Sequence, residues 1–196
     1  MEFTHLLALS TFALISSATP GPNNIMLMTS GANIGFARTI PHMLGIILGF
    51  TLMVLLVGLG LMKLFSAVPL LQTALQCICF IYLFYLAYKI ATSSTVTNEQ
   101  QGYQAMSFLA AANFQWVNPK AWSMALSAIT IYSTGLDNLY ATIIIAAIFA
   151  FTYLPSACLW IIAGQKLQKV LSNPANLKRF NYTMAALLIV SMLFSL

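Results

Sequence analysis

Charge is what this sequence has least of. Of 196 residues, 6% are Asp, Glu, Lys or Arg, against about 25% in a soluble domain. The three acids, Glu2, Glu99 and Asp137, all fall near the ends of apolar runs or between them. A divalent metal or a strongly cationic substrate normally needs a carboxylate inside the span, so neither is expected, and no carboxylate proton relay is visible. Cysteine is also scarce. Cys77, Cys79 and Cys158 lack nearby His or acidic residues, and the Cys77–Cys79 spacing is neither a zinc knuckle nor a redox CxxC pair. They read as small apolar packing residues. No basic stripe interleaves with aromatics, which argues against a nucleic-acid partner despite a formal charge of +5. The first residues carry Glu2 and no Lys or Arg, so the segment before Ser16-Ser17-Ala18 is expected to stay as a membrane helix, not a cleaved signal.

What is abundant is apolar surface. The chain is 60% hydrophobic, with a mean hydropathy of +0.88. We expect an all-α polytopic membrane protein, a single transmembrane transporter domain over 1–196 that uses the bilayer as its solvent. A span needs roughly 20 apolar residues, and six runs qualify: about 4–30, 39–62, 67–91, 107–133, 139–163 and 180–196. Basic residues set the orientation. Arg38, Lys89, Lys166, Lys169, Lys178 and Arg179 follow the odd-numbered runs, and only Lys63 lies on the other side. Both termini are therefore expected outside. A polar linker, 92–106, divides the chain into a first repeat (about 1–91) and a second (107–196). Three spans per half make the halves inverted.

Each half is interrupted at a corresponding place. Run one contains Thr19-Pro20-Gly21-Pro22-Asn23-Asn24, and run four contains Gln115-Trp116-Val117-Asn118-Pro119-Lys120. An interior proline costs a helix about 3 kcal/mol and removes a donor. Inside a bilayer, the freed backbone groups must be buried in protein or line a cavity. Paired interruptions in inverted halves point to a midplane transport site. Asn118 with Pro119 suits a helix restart, and Asn23-Asn24 are expected to cap the restart after Pro22. Restarted helices present unpaired N–H groups and a positive dipole end. Lys120 would add a full charge, and the site would suit a carboxylate. The bland alternatives are packing kinks and a shifted helix whose Lys120 snorkels to the interface. Trp116 is placed for a pocket wall. His42, beside Pro41, is the best titratable candidate for coupling, although a lone His at a helix entry is often an interfacial or packing residue. Gly45-x-x-x-Gly49 permits close helix approach, within the chain or between copies. Tyr82, Tyr85 and Tyr88 recur at helical spacing, as a site lining or an interfacial belt.

These motifs also carry a resemblance. Thr19-Pro20-Gly21-Pro22-Asn23, then Gly35-Phe36 and Gly45-x-x-x-Gly49-Phe50, resemble the LysE/RhtB family of amino-acid exporters. Tyr82-Leu83-x-x-Leu86-Ala87-Tyr88-Lys89 and Phe114-Gln115-Trp116-Val117-Asn118-Pro119-Lys120-Ala121 look like that family's third- and fourth-helix signatures. Asn23-Asn24-Ile25 and Lys89-Ile90-Ala91 look closest to its cysteine/O-acetylserine branch. The resemblance implies a bacterial inner-membrane homodimer that exports amino acids or close derivatives against a proton gradient, without a cofactor and without enzymatic activity. It places Thr19 to Asn23 and Asn118 to Lys120 at the site. Lacking a mid-membrane acid, the chain is expected to take neutral substrates such as cysteine, O-acetylserine, homoserine or threonine. A membrane-embedded thiol-redox carrier or enzyme, and an accessory subunit that moves nothing, stand as rivals.

Overall fold

A computed structural model describes residues 3–61, 67, 69–93, 103–133 and 138–193. Glu2, Lys63, Glu99 and Asp137 lie outside these residues, as does most of the linker, and so do the side chains of Cys79 and Lys169. Among the described residues the chain is all-helical. The helices are α1 Phe3–Ala18, α2 Pro22–Leu56, α3 Pro69–Thr92, α4 Phe108–Phe114, α5 Pro119–Tyr132, α6 Asn138–Leu171 and α7 Pro174–Leu193. A π-helical turn, Val57–Leu61, prolongs α2, and a 3-10 turn, Gln115–Val117, follows α4.

The first run is split as its prolines require. α1 stops at Ala18, because Pro20 denies a donor and disfavours helical backbone at Thr19. α2 restarts with Gly21 extended and Pro22 at its first position. α2 is itself folded. Gly35 has φ 81° and ψ 176°, a left-handed φ that any Cβ would strain. Ser30 Oγ lies 3.2 Å from His42 Nδ1, whereas twelve residues of straight helix would separate them by about 18 Å. Gly35 thus turns the chain back between the first and second predicted runs. The arm beyond it, to Leu61, extends about 39 Å at 1.5 Å per residue, enough for a hydrocarbon core of about 30 Å. By length and apolarity the described helical stretches Pro22–Leu61 and Leu139–Gln168 can each cross a membrane.

Glycines bring the central helices together. A Cβ on Gly31 would strike the Ile161 carbonyl, and one on Gly164 would strike that of Met28, so α2 and α6 touch backbone to backbone. Gly45 and Gly49 face Phe108 and Ala112. The GxxxG pattern is therefore used inside the chain, to seat α4. Phe50, Phe149 and Tyr153 fill the centre, with Phe50 and Phe149 edge to face at 5.2 Å. α3 docks on α7 through Leu83, Leu86 and Ala87 against Met184, Ala185 and Leu188.

Two helices outrun their apolar stretches. α6 continues past Ala163 to Leu171, and α7 begins at Pro174, not at Phe180. The added turns carry Gln165, Lys166, Lys178 and Arg179. Helical hydrogen bonding does not stop where hydropathy does. Asn173 Oδ1 accepts from Ala175 N at 2.9 Å and starts α7 with Pro174 behind it.

Candidate functional site at the two helix breaks

The broken end of α1 exposes carbonyls that a continuous helix would have satisfied, and side chains from distant elements take them over. Thr19 Oγ1 donates to Ser16 O at 2.9 Å. Ser17 O accepts from Ser156 Oγ at 2.9 Å and from Asn24 Nδ2 at 2.7 Å. Ala18 O accepts from Trp160 Nε1 at 3.1 Å. The Lys120 ammonium then donates to Thr19 O and Thr19 Oγ1, both at 2.7 Å, and to Pro20 O at 3.3 Å. A cation at the negative end of a half-helix dipole is the favourable placement. Lys120 is therefore the point where the second break grips the first. Its ammonium is held by neutral oxygens of the first break.

A second link is made of amides. Asn23 Nδ2 donates to Gln115 Oε1 at 2.8 Å and to Tyr153 OH at 2.9 Å, and Gln115 Nε2 returns a bond to Asn23 Oδ1 at 3.3 Å. Gln115 also holds Ala111 O at 2.8 Å. All three residues are buried. Their network ties the breaks together through α6.

The expected caps are half right. Asn118 does cap α5, its Oδ1 accepting from Lys120 N at 3.2 Å, with Pro119 at the first position. Asn23 and Asn24 do not cap α2. The cap residue is Gly21, which has no side chain to offer. Asn23 turns to Gln115, while Asn24 reaches back to Ser17 O and Thr19 O. With Pro22 already occupying the first helical position, both asparagines fall inside the first turn, two and three residues past the cap position. Their side chains are consumed by the tertiary breaks, and no side chain caps the first turn of α2.

Two cavities border these groups. The inner one, about 10 Å³, is lined by Gly21, Asn23, Asn24, Asn118, Lys120 and Tyr153, with Phe50 and Met124 beneath; it has room for about one water. The outer one, about 470 Å³, also reaches Thr19, Pro20 and Lys120. The Lys120 side chain separates them, lying directly over Gly21, where a Cβ would collide with it. Trp116 lines neither cavity; its carbonyl accepts from Trp122 Nε1 at 2.8 Å and its ring packs on Trp122. Tyr82 packs on Phe114, and Tyr85 and Tyr88 are exposed. Cys158 Sγ lies 3.8 Å from Met43 Sδ, and Cys77 is exposed, so neither of these thiols is at a break.

His42 is fully buried. Its Nδ1 meets Ser30 Oγ, which lies 2.9 Å from the hydroxyl of Tyr103, in the last part of the linker. Its Nε2 is buried without a partner among the described residues. Sequence reading missed Tyr103 and Ser30 here, and Tyr153, Ser156 and Trp160 at the breaks. A signal existed for Tyr153: a tyrosine deep in an apolar run must find a partner for its hydroxyl.

No solved structure matches this chain. Among curated proteins, a cysteine/O-acetylserine efflux protein of Escherichia coli strain K12 is 29% identical over 192 residues, covering 96% of each chain. The Shigella flexneri protein of the same name is 28% identical over 187 residues, 94% of this chain and 93% of the relative. These relatives are efflux proteins, not enzymes. Residues 14–194 match the LysE type translocator family, and on that match, which takes in both helix breaks, the chain belongs to the LysE-type translocators.

Proposed function

We propose that this protein is a secondary exporter of neutral amino acids or their derivatives, such as cysteine, O-acetylserine, homoserine or threonine, working as a homodimer in a bacterial inner membrane. Its six spans form two inverted three-helix repeats with both termini outside. The observation that carries the reading is the direct meeting of the two interruptions, through Lys120 on Thr19 and Pro20 and through Asn23 on Gln115. Residues 92 or more positions apart share polar contacts that no packing kink would need.

The substrate carboxylate binds at the restarted ends, near the uncapped first turn of α2 (Pro22, Asn23, Asn24) and the Asn118–Pro119–Lys120 start of α5. The inner cavity, about 10 Å³, is too small for an amino acid, so binding requires the halves to part. A carboxylate competes with neutral carbonyls for the Lys120 ammonium, and charge-assisted bonds are roughly twice as strong as neutral ones. Drawing Lys120 away from Thr19 and Pro20 leaves the end of α1 unsatisfied. The loss of that grip couples occupancy to rocking of one repeat against the other. Trp116 supports the site by packing on Trp122, outside both cavities.

His42 is the coupling group. Its partners suit a proton carrier, because the hydroxyls of Ser30 and Tyr103 can each donate or accept. The chain can reverse direction when the imidazole gains a proton.

The test is efflux from proteoliposomes loaded with labelled cysteine or threonine, with and without a pH gradient. Lys120→Met should reduce flux tenfold or more under both conditions, about 1.4 kcal/mol or more of lost binding. His42→Gln should abolish the response to the gradient while exchange of internal for external substrate continues. Unchanged flux in the first variant removes Lys120 from the mechanism; unchanged gradient response in the second removes His42.

A further inference from the structure

The outer cavity has a wall to which nothing above assigns a role. Its volume of about 470 Å³ falls within the range of small-molecule sites, roughly 300–1,000 Å³. Its polar border is the Lys120 side chain with Thr19 and Ser123, both of them exposed, and Ser191 on α7. The rest is mostly apolar, and α7 supplies Met184, Leu187 and Val190, with Trp160 and Met28 beside them. The Lys120 ammonium would be poorly solvated against hydrocarbon, which argues against a lipid acyl chain as the occupant. The partners of Lys120 are neutral carbonyl and hydroxyl oxygens, so its charge is uncompensated there. A zwitterion with an apolar side chain matches both parts: its carboxylate complements Lys120 and its side chain complements α7.

We propose that this groove is the side-chain subsite for the transported amino acid, and that Met184 and Leu187 determine specificity. The proposal rests on the exporter reading and adds a substrate class to it: neutral amino acids with aliphatic or thioether side chains. The carboxylate meets Lys120 where the two cavities adjoin. The side chain lies along α7, a helix that carries no interruption motif.

Competition in proteoliposomes tests this. Labelled alanine and labelled methionine are exchanged against unlabelled alanine, valine, leucine and methionine. In the unaltered protein, leucine and methionine should compete at least tenfold more tightly than alanine. Leu187→Trp and Met184→Trp fill the groove and should raise KM for methionine tenfold or more, leaving alanine within twofold. Tyr182→Ala, at an exposed α7 position outside the groove, should leave both substrates unchanged, which controls for packing damage. An unchanged alanine-to-methionine ratio in both tryptophan variants overturns the proposal. So does equal loss of both substrates in all three variants. Flux that follows the acyl-chain length of the vesicle lipid, with the ratio unchanged, assigns the groove to lipid and also overturns it. Unaltered protein that moves no amino acid defeats the exporter reading itself, which is a distinguishable result.

Discussion

Asn23 shows how much depends on single polar atoms in this protein. Its amide nitrogen serves Gln115 and Tyr153, and its oxygen receives the return bond from Gln115. Asn23→Ala would leave the Gln115 amide short of partners and the Tyr153 hydroxyl unpaired in a buried site. Each unsatisfied group costs about 1–3 kcal/mol. Removing the partner as well, in Asn23→Ala with Gln115→Leu, should cost less than the sum of the single changes, because the double variant strands fewer polar atoms. Thermal unfolding in detergent measures this. Strict additivity would mean that the pair is not coupled. Asn23 and Gln115 stood out by their place in the two interruptions. That they would meet each other and Tyr153 was not legible, because the pairing depends on how the helices pack.

At the scale of the element, α2 is the instructive case. Its sequence contains two different breaks that look alike only in containing glycine. The Pro20-Gly21-Pro22 break is written in proline, and its position follows from the lost donor. The Gly35 turn is written in one residue, and the helix pattern continues on either side of it. Gly35→Ala should lower the unfolding temperature, by about 1–2 kcal/mol of stability, and loosen the approach of Ser30 to His42. An unfolding temperature equal to that of the unaltered protein would mean that the turn tolerates a Cβ. α6 and α7 are the opposite case. Hydropathy underestimated their lengths, because their outer turns are polar while still hydrogen-bonded and, in the case of α7, capped by Asn173.

For the whole molecule, the two halves are joined by contacts at the breaks, by the α2–α6 backbone approach and by Tyr103 on Ser30. The basic residues Arg38, Lys89, Lys166, Lys178 and Arg179 are predicted to face the cytoplasm. A phosphatase fused to the C-terminus should therefore be active on the outer side, and a fusion after residue 92 should be inactive. The reverse pattern would invert the assigned direction of the site. Orientation of this kind rests on charge counted along the chain, so the expectation comes from the sequence alone.

The sequence by itself determined the membrane setting, the existence and approximate position of both interruptions, the N-cap at Asn118 and the family. Each follows from local chemistry: a bilayer demands apolar runs, a proline removes a donor, and an asparagine at a restart accepts the next free N–H. Only the tertiary structure decided that Lys120 closes the end of α1, that Asn23 bonds Gln115 instead of capping α2, that the glycine pair seats α4 and that His42 is buried beside Ser30 and Tyr103. The glycine pair acts by letting backbones approach closely. For the polar groups the reason is shared: away from water, a freed backbone or side-chain polar group is costly unless protein or a cavity satisfies it. The demand is set locally, but which distant residue meets it depends on how the helices pack.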